Sequence, residues 1–582
     1  MKRFSEKVFL QLNMPTEELS LSDHQRIRLA LETLGYAPVT IPLSVLRQLY
    51  PLCRDSGFDI TVTLVYRETD WIVTAVEAGD TTGHHFGLAV DYGSTTILME
   101  LVDLNSGTVI DQVKAVNGQT VYGTDILTRI TYAMEDPSHM DDLQRVTTET
   151  FAALLDQLTE QTGIAAAKCP VMVISGNTTM VHFLLKLDAW TVFAAPFAPV
   201  TADPGWLWGR ELDLAFDGLV YFIPAASNYV GGDIVSGLLK LDIHKQEQTQ
   251  MFFDIGTNGE LVLGNRDWMI AGAGAAGPAL EGYISRFGMR AADGAVDKVR
   301  IQGRELTFTT IGNKPPVGIC GSGIIDLLAQ MRLQGWMNIA GDLEPAASDR
   351  IIWLAEEKQY AAVYATAEET ADGQPRFFTQ TDIKQYVDTK AAAYTMIECL
   401  LESAGVQEGD LGHVYLSGAF SAHSDLESAI TIGMFPDLPR QRYTAIANTS
   451  LDGARLLLLD RDKMDDIHHL MDYIYCVQFA SVPDFLVRMQ AAKFIPHTNM
   501  ERYPSIQQKL LSTNSSYCAI MTLFQITLEK RFILWLSMFA TFAVGSMMKK
   551  SGTPMAALRT AAACQIVSQK RPGGRTSRSL RY

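Results

Sequence analysis

The fold is decided by the stretch Phe252-Phe253-Asp254-Ile255-Gly256-Thr257-Asn258-Gly259-Glu260-Leu261-Val262-Leu263. An apolar run leads to an aspartate, a glycine-rich turn follows, and a second apolar run begins, which predicts a β-hairpin. The backbone N–H groups and hydroxyls of such a turn can contact a phosphate, and the aspartate at its mouth can hold Mg²⁺ through water. Taken alone, the motif is equally typical of an ordinary hairpin.

The same pattern occurs earlier in the chain, where an apolar run from Phe86 leads into Asp91-Tyr92-Gly93-Ser94-Thr95-Thr96 and a second run follows from Ile97. We refer to residues 93–96 as the first phosphate-facing turn and to residues 256–259 as the second. Further parts are repeated in the same order. A buried-type strand that ends in Ser-Gly lies at residues 171–176 and again at 414–418, and a closing strand with its helix lies at residues 219–239 and again at 443–458. Matching parts in matching order indicate an internal duplication.

Two lobes that face each other would place Asp91 and Asp254 on opposite sides of one cleft. Two phosphate-facing turns and two carboxylates suit a Mg²⁺-nucleotide better than a neutral ligand. We therefore take Asp91 and Asp254 as the candidate catalytic residues and as ligands of Mg²⁺ through water. The candidate nucleotide contacts in the turns are Gly93, Ser94, Thr95 and Thr96 in the first, and Gly256, Thr257, Asn258 and Gly259 in the second.

Composition limits the alternatives. A chain of 582 residues with 47% apolar content is globular and too long for a single domain. Its net charge of −17 argues against a nucleic-acid partner, because phosphate neutralisation needs a basic face. The seven cysteines lie far apart and form no Cys-x-x-Cys pair, so we expect neither a disulfide framework nor a local metal or iron–sulfur site. No signal peptide is evident, and the cytoplasm is the expected location.

The chain divides into four predicted parts: a linker or docking domain of α+β type at residues 1–83, a first lobe at 84–245, a second lobe with inserts at 246–509, and an atypical tail at 510–582. The tail contains an apolar stretch at residues 532–548, which as a helix would span about 25 Å, less than the roughly 30 Å of a bilayer core. Residues 549–582 contain no Asp or Glu. We therefore expect a frameshifted, fused or disordered tail rather than a membrane anchor.

Three loops could supply further contacts. Residues 271–282 are rich in Gly and Ala and follow the second hairpin, which favours Gly277 as a nucleotide contact over simple close packing. Residues 318–326 form a glycine-rich loop that opens a helix, where Gly321 and Ser322 could contact an anion. The polar loop at residues 117–125 is either a ligand contact or a capping loop, and the sequence favours neither.

The two hairpins and the Ser417-Gly418-Ala419-Phe420 segment resemble the two phosphate motifs and the adenosine motif of the ASKHA superfamily of actin-like ATPases and sugar kinases. This resemblance implies that Gly418 and Ala419 contact the nucleotide, and it predicts an α/β fold of two actin-like (RNase H-like) lobes around a nucleotide cleft.

A narrower resemblance, to the reductive activators of corrinoid proteins, covers roughly residues 7–500. Its motifs are Asn177-Thr178-Thr179-Met180, Pro196-Phe197-Ala198-Pro199, Val230-Gly231-Gly232-Asp233, residues 254–260, Ala276-Gly277-Pro278, residues 318–323 and residues 416–420. That family implies an ATPase that drives an electron onto the cob(II) form of a corrinoid methyltransferase protein to give cob(I). The implied cofactors are ATP and Mg²⁺, and the implied partner is a corrinoid protein.

Besides its atypical tail, the sequence departs from that family at its N-terminus, because family members typically carry an iron–sulfur domain ahead of the linker and this chain starts at the linker. We therefore expect no iron–sulfur cluster in this chain, and either a separate ferredoxin-like electron donor or a truncated protein that has lost reductase activity. The sequence leaves open whether the protein forms a homodimer. Two other functions also stay open: a small-metabolite kinase, which shares both aspartate-containing turns, and a nucleotide-binding regulator without turnover.

Overall fold

The computed structural model describes residues 2–256, 258–274, 284–418, 424–479 and 482–512. At the N-terminus a four-stranded sheet with the order β1-β3-β4-β2 carries two helices. These elements are β1 (Ser5–Gln11), α1 (Asp23–Thr33), β2 (Val39–Thr40), α2 (Leu43–Asp55), β3 (Asp59–Arg67) and β4 (Asp70–Ala78). Ser22 caps α1 in a capping box with Gln25. Strands β3 and β4 pair antiparallel as a hairpin.

Lobe I, the part of the chain that carries the first hairpin, is built on a six-stranded sheet. Its elements are β5 (Phe86–Tyr92), β6 (Thr96–Asp103), β7 (Val109–Val116), α3 (Ile126–Glu135), α4 (Ser138–Thr162), β8 (Val171–Gly176), α5 (Thr178–Leu184), α6 (Trp190–Phe193), β9 (Trp206–Trp208), β10 (Leu219–Phe222) and α7 (Gly232–Leu241). The long helix α4 is amphipathic and buries Phe151, Leu154, Leu155 and Leu158 along one face.

Lobe II, the part that carries the second hairpin, has its own six-stranded sheet and two inserted three-stranded sheets, β15-β14-β16 and β17-β18-β19. Its strands are β11 (Gln250–Ile255), β12 (Gly259–Gly264), β13 (Met269–Gly274), β14 (Ala295–Gln302), β15 (Glu305–Thr310), β16 (Gly318–Ile319), β17 (Ile351–Leu354), β18 (Gln359–Ala365), β19 (Arg376–Thr379), β20 (His413–Ser417), β21 (Tyr443–Ala445) and β22 (Ile474–Cys476). Its helices are α8 (Gly321–Leu333), α9 (Gln380–Ser403), α10 (Leu426–Thr431), α11 (Thr449–Leu459), α12 (Lys463–Tyr473) and α13 (Phe485–Ala492).

The two large sheets repeat one strand order. Lobe I has the order β7-β6-β5-β8-β10, with β9 at its edge, and lobe II has β13-β12-β11-β20-β21, with β22 at the opposite edge. Numbered within each lobe, both are 3-2-1-4-5. The first strand of each hairpin pairs in parallel with the strand that ends in Ser-Gly, β5 with β8 and β11 with β20. The predicted pair of lobes with matching parts in matching order is confirmed.

The lobes meet through α7 and α11, the helices that follow the fifth common strand of each sheet. A side chain at Gly453 of α11 would place its Cβ 2.0 Å from the carbonyl oxygen of Ser236 in α7, so glycine is what permits this close approach. One apolar core contains residues of both helices and of both large sheets, including Ala89, Val235, Phe252 and Leu457. The positions of the two hairpins are therefore fixed relative to each other by packed apolar surface.

The tail predicted at residues 510–582, including the apolar stretch at 532–548, lies outside the described residues apart from residues 510–512. Within the described part of the chain, no helix combines the length and the apolar character that a membrane crossing needs.

Candidate nucleotide and metal site

The first phosphate-facing turn joins β5 to β6. The N–H of Gly93 donates to the carbonyl oxygen of Thr96 at 3.1 Å and closes the turn, while Ser94 and Thr95 lie between them, partly buried. Asp91 is the last but one residue of β5 and stands opposite Leu98 of β6 in the antiparallel register. The structure thus places Asp91 beside the turn, as the sequence predicted.

The second phosphate-facing turn joins β11 to β12. The N–H of Gly256 donates to the carbonyl oxygen of Asn258 at 3.0 Å, and Gly259 begins β12. Asp254 stands opposite Glu260 in the register. Because side chains directly opposite each other share one face of a sheet, both carboxylates point to the same side of the hairpin. Thr257 lies outside the described residues.

Gly418, which directly follows β20, packs against the base of this second hairpin. Its φ is +92°, and a Cβ there would lie 2.2 Å from the carbonyl oxygen of Ile255 and 2.9 Å from Oδ1 of Asp254. Ser417, the residue before it, hydrogen-bonds to Asp254. The predicted adenosine segment therefore begins in contact with the second aspartate.

Four carboxylates from the two lobes lie within electrostatic range of one another. Burial, followed by the carboxylates of Asp233 and Asp91, raises the pKa of Asp254 to about 7. Burial and the charge of Asp91 raise the pKa of Asp233, while burial with the charges of Asp233 and Asp254 raises that of Glu260. We call Asp91, Asp233, Asp254 and Glu260 the carboxylate cluster. Like charges held in a partly dry site raise one another's pKa because neither is neutralised.

Asp91 differs from the others in having neutral hydrogen-bond donors from the opposite lobe. Asn448 Nδ2 donates to one carboxylate oxygen and Ser450 Oγ donates to the other, both at 2.8 Å. Asn448 is the N-cap of α11, and Ser450 lies in its first turn. Burial raises the pKa of Asp91, while these two hydrogen bonds act in the opposite direction.

Within the described part of the chain, no Lys, Arg or His forms an ion pair with any member of the carboxylate cluster. Carboxylate oxygens are the ligands that Mg²⁺ prefers, and a divalent cation would relieve the mutual repulsion that the raised pKa values report. The residues present therefore fit a bound Mg²⁺-nucleotide.

A second group, Asp242, His244 and Asp466, also has possible ligand atoms within 4.8 Å of one another. Here lysines already supply the positive charge. Lys245 Nζ lies 3.1 Å from Asp242 and 2.7 Å from Asp466, and Lys463 Nζ lies 3.0 Å from Asp466. Two ammonium groups beside two carboxylates leave little electrostatic attraction for a metal ion, so this group is a poorer fit than the carboxylate cluster.

Four other predicted nucleotide contacts, at Gly277, Gly321, Ser322 and Ala419, remain predictions. Gly321 and Ser322 form the start of α8, which packs against β14 and against α10. Gly277 and Ala419 lie outside the described residues. Sequence reasoning did not assign Asp233, Glu260, Asn448 or Ser450 to the site. Two of these could have been found, because Glu260 lies in the quoted hairpin and Asp233 in a quoted Gly-Gly-Asp motif.

The repeated sheets and the facing hairpins define a two-lobed α/β protein with an ASKHA domain. Residues 1–83 match the RACo linker region, residues 86–246 the RACo middle region, and residues 248–507 the C-terminal domain of RACo, described as the ASKHA domain. The chain belongs to the RACo family of reductive activators of corrinoid proteins.

Individual relatives agree with this assignment. The chain is 31% identical to the corrinoid activation enzyme RamQ of Eubacterium limosum over an alignment of 409 residues. This alignment covers 69% of this chain and 69% of RamQ. Over 414 residues it is 23% identical to a Methanosarcina barkeri reductase of a Co(II) methylated amine-specific corrinoid protein, with 66% of this chain and 71% of the relative covered. A solved reductive activator for corrinoid, iron-sulfur protein superposes with a TM-score of 0.78 at 31% identity, covering 87% of this chain and 81% of that one.

Proposed function

We propose that the protein is an ATP-dependent activator that reduces a corrinoid protein from the cob(II) to the cob(I) state by one electron. The relatives are named for the activation or reduction of corrinoid proteins, which supports the choice of partner. The observation that carries the ATP-dependent part is the carboxylate cluster, which joins the two phosphate-facing turns and has no basic partner among the described residues.

In this proposal Asp91 and Asp254 hold Mg²⁺ through water, and the two turns contact the phosphates. Gly418 and Ala419 contact the adenosine in this proposal, as the resemblance of residues 417–420 to the adenosine motif implies. Nucleotide hydrolysis supplies free energy for an unfavourable electron transfer: a one-electron step uphill by 100 mV costs about 2.3 kcal/mol. Asp233 and Glu260 add negative charge beside Asp254, which strengthens the attraction for the metal–nucleotide complex.

We propose further that the electron comes from a separate ferredoxin-like protein, which is oxidised by one electron as cobalt is reduced from Co(II) to Co(I). Four described cysteines, Cys53, Cys169, Cys320 and Cys399, are buried free thiols. Among the described residues, the group of possible metal ligands whose atoms lie within 4.8 Å of one another contains no cysteine, so these four thiols do not form the thiolate set that an iron–sulfur cluster needs.

The test is ATP hydrolysis with and without a corrinoid protein in the cob(II) state, in the presence of a reduced low-potential iron–sulfur donor. We expect the corrinoid protein to change the rate of hydrolysis and the visible spectrum to change from cob(II) to cob(I) only when ATP is present. Turnover that depends instead on a small hydroxyl compound would identify a kinase. Nucleotide binding without turnover would identify a regulator.

A further inference from the structure

The polar loop at residues 117–125 lies directly behind the first phosphate-facing turn. Asn117 is the N-cap of a 3-10 turn at Gly118–Tyr122, and its Oδ1 accepts a hydrogen bond from the N–H of Gln119 at 3.0 Å. Capping is therefore one of its roles. The side-chain amide nitrogen of Asn117 faces the other way, towards the first turn.

Asn117 is fully buried and binds two carbonyl groups of that turn. Its backbone N–H donates to the carbonyl oxygen of Thr95 at 2.9 Å, and its side-chain Nδ2 donates to the carbonyl oxygen of Gly93, also at 2.9 Å. Asn117 thus binds the carbonyl oxygens of the first and third residues of the four-residue turn. Both oxygens are directed towards Asn117 inside lobe I.

The orientation of the Asn117 amide is fixed by its surroundings. The amide oxygen of Asn117 accepts a hydrogen bond from the backbone N–H of Gln119. The side-chain Nε2 of Gln119 donates to Tyr92 Oη at 3.1 Å and to Thr147 Oγ1 at 2.7 Å. Gln119 also accepts from the buried Arg129 guanidinium at 3.3 Å. Since Tyr92 follows Asp91 in β5, the network joins the loop, the strand and α4 beneath the turn. These hydrogen bonds fix which way the side-chain amides of Asn117 and Gln119 face, although Nη2 of Arg129 has no hydrogen-bond partner among the described residues.

We propose that Asn117 is a positioning residue for the polyphosphate of the nucleotide, an inference that rests on the proposed function. A carbonyl oxygen directed at a phosphate repels it. In the first turn, the hydrogen bonds from Asn117 keep two carbonyl oxygens directed away from the phosphate side, so the turn can bind an anion without rearrangement. Asn117 acts through the backbone of residues 93–96 and makes no contact with the reacting atoms. Its contribution is therefore specific to the phosphates and leaves adenosine binding unchanged.

The experiment compares MgATP and adenosine binding, by calorimetry, to the full chain and to Asn117→Ser. Serine retains an N-cap oxygen for Gln119 but has no amide to donate to Gly93. We expect MgATP affinity to fall about tenfold, while adenosine affinity stays within about twofold of the wild type. Asn117→Thr is a second variant that also keeps a cap oxygen and loses the amide donor without adding charge, and it should show the same selectivity.

The matched control is Gln144→Ser, which removes another buried amide of lobe I. Gln144 Nε2 donates to the carbonyl oxygen of Leu212 at 3.1 Å, away from the turn. The Gln144→Ser variant should lower the melting temperature without changing the ratio of MgATP affinity to adenosine affinity. An unchanged ratio in both Asn117 variants overturns the inference while MgATP binding by the wild type still supports the proposed function. Failure of the wild type to bind MgATP overturns both.

Discussion

The two hairpins have the same backbone plan, yet their aspartates have different neighbours. Across the ladder, Asp91 stands opposite Leu98, whereas Asp254 stands opposite Glu260. Across the cleft, α11 of lobe II offers Asp91 two hydrogen-bond donors, Asn448 and Ser450. Near the start of α7 in lobe I, the corresponding helix, lies Asp233, whose charge raises the pKa of Asp254.

This difference indicates that the aspartates of the two duplicated halves have different roles in the site. The protein itself satisfies the aspartate of lobe I by hydrogen bonds that also join the lobes. The aspartate of lobe II lies among acids, so it gains most from a cation. We infer that attraction for the metal–nucleotide complex comes chiefly from the lobe II hairpin, while Asp91 also holds the lobes together.

The largest effect is expected from Asp254→Ala. Removal of this carboxylate should lower ATP turnover by at least about 100-fold, because the metal loses a ligand beside the phosphates. The fold should be kept, since the variant removes a charge that is repelled by its neighbours. Steady-state hydrolysis and circular dichroism measure the two outcomes. Hydrolysis at the wild-type rate would remove the carboxylate cluster from the proposed site.

Asp91→Ala should also abolish turnover, but it should destabilise the protein where Asp254→Ala does not. Without the carboxylate, the half-buried Asn448 and the buried Ser450 lose their acceptor, at a cost of about 1–3 kcal/mol. Urea unfolding of the nucleotide-free protein measures this difference. Equal stabilities for the two alanine variants would show that the aspartates are equivalent and would contradict the comparison.

Glu260→Leu makes the lobe II hairpin resemble that of lobe I, where leucine stands opposite the aspartate. We expect about a tenfold loss of turnover at limiting Mg²⁺, partly restored by more Mg²⁺, because one negative charge near Asp254 is lost. Stability without nucleotide should not fall, since the variant removes a buried acid that has no basic partner among the described residues. Glu247→Leu, at an exposed glutamate of the same lobe, is the control and should leave turnover unchanged.

Much of this organisation follows from local sequence signals. The hairpins and the strands that end in Ser-Gly depend on residues close in sequence, so apolar runs and turn residues predict them. Asp91 and Asp254 were predicted to share one cleft because the duplication implied facing lobes. Their roles as metal ligands remain predictions, as do the nucleotide contacts assigned to Gly321 and Ser322.

The remaining site residues depend on contacts that no local pattern encodes. Asn448 and Ser450 are more than 350 positions from Asp91 in the chain, and they meet it because glycines let α7 and α11 approach closely. As an N-cap, Asn448 has a sufficient local explanation, which conceals its second role. Glu260 was predictable, since the register of a short hairpin places it opposite Asp254.

The lobes also differ around their long helices. In lobe II, residues 492–497 lie against α9, where the buried Lys390 donates to the carbonyl oxygens of Ala492 at 2.5 Å, Phe494 at 2.7 Å and Pro496 at 2.5 Å. His497 belongs to the same segment, is 5% exposed, and accepts a hydrogen bond from the N–H of Asn499 at 3.0 Å. This segment adds a titratable group beside the long helix of lobe II.

The smallest effect we predict is an acid loosening of that segment alone. Burial, followed by the positive charges of Arg502 and Lys390, lowers the pKa of His497 to about 4. Since the unfolded chain binds this proton near pH 6.5, the stability that comes from the neutral imidazole is present above pH 6.5 and is lost as the pH falls towards 4. The opening equilibrium of residues 492–499, obtained from amide exchange rates divided by the intrinsic rate at each pH, should therefore rise by up to about tenfold at pH 5 relative to pH 7.5, whereas that of α4 of lobe I should change less. His497→Gln, which does not titrate, should remove the difference between the lobes; if it persists, other groups cause it.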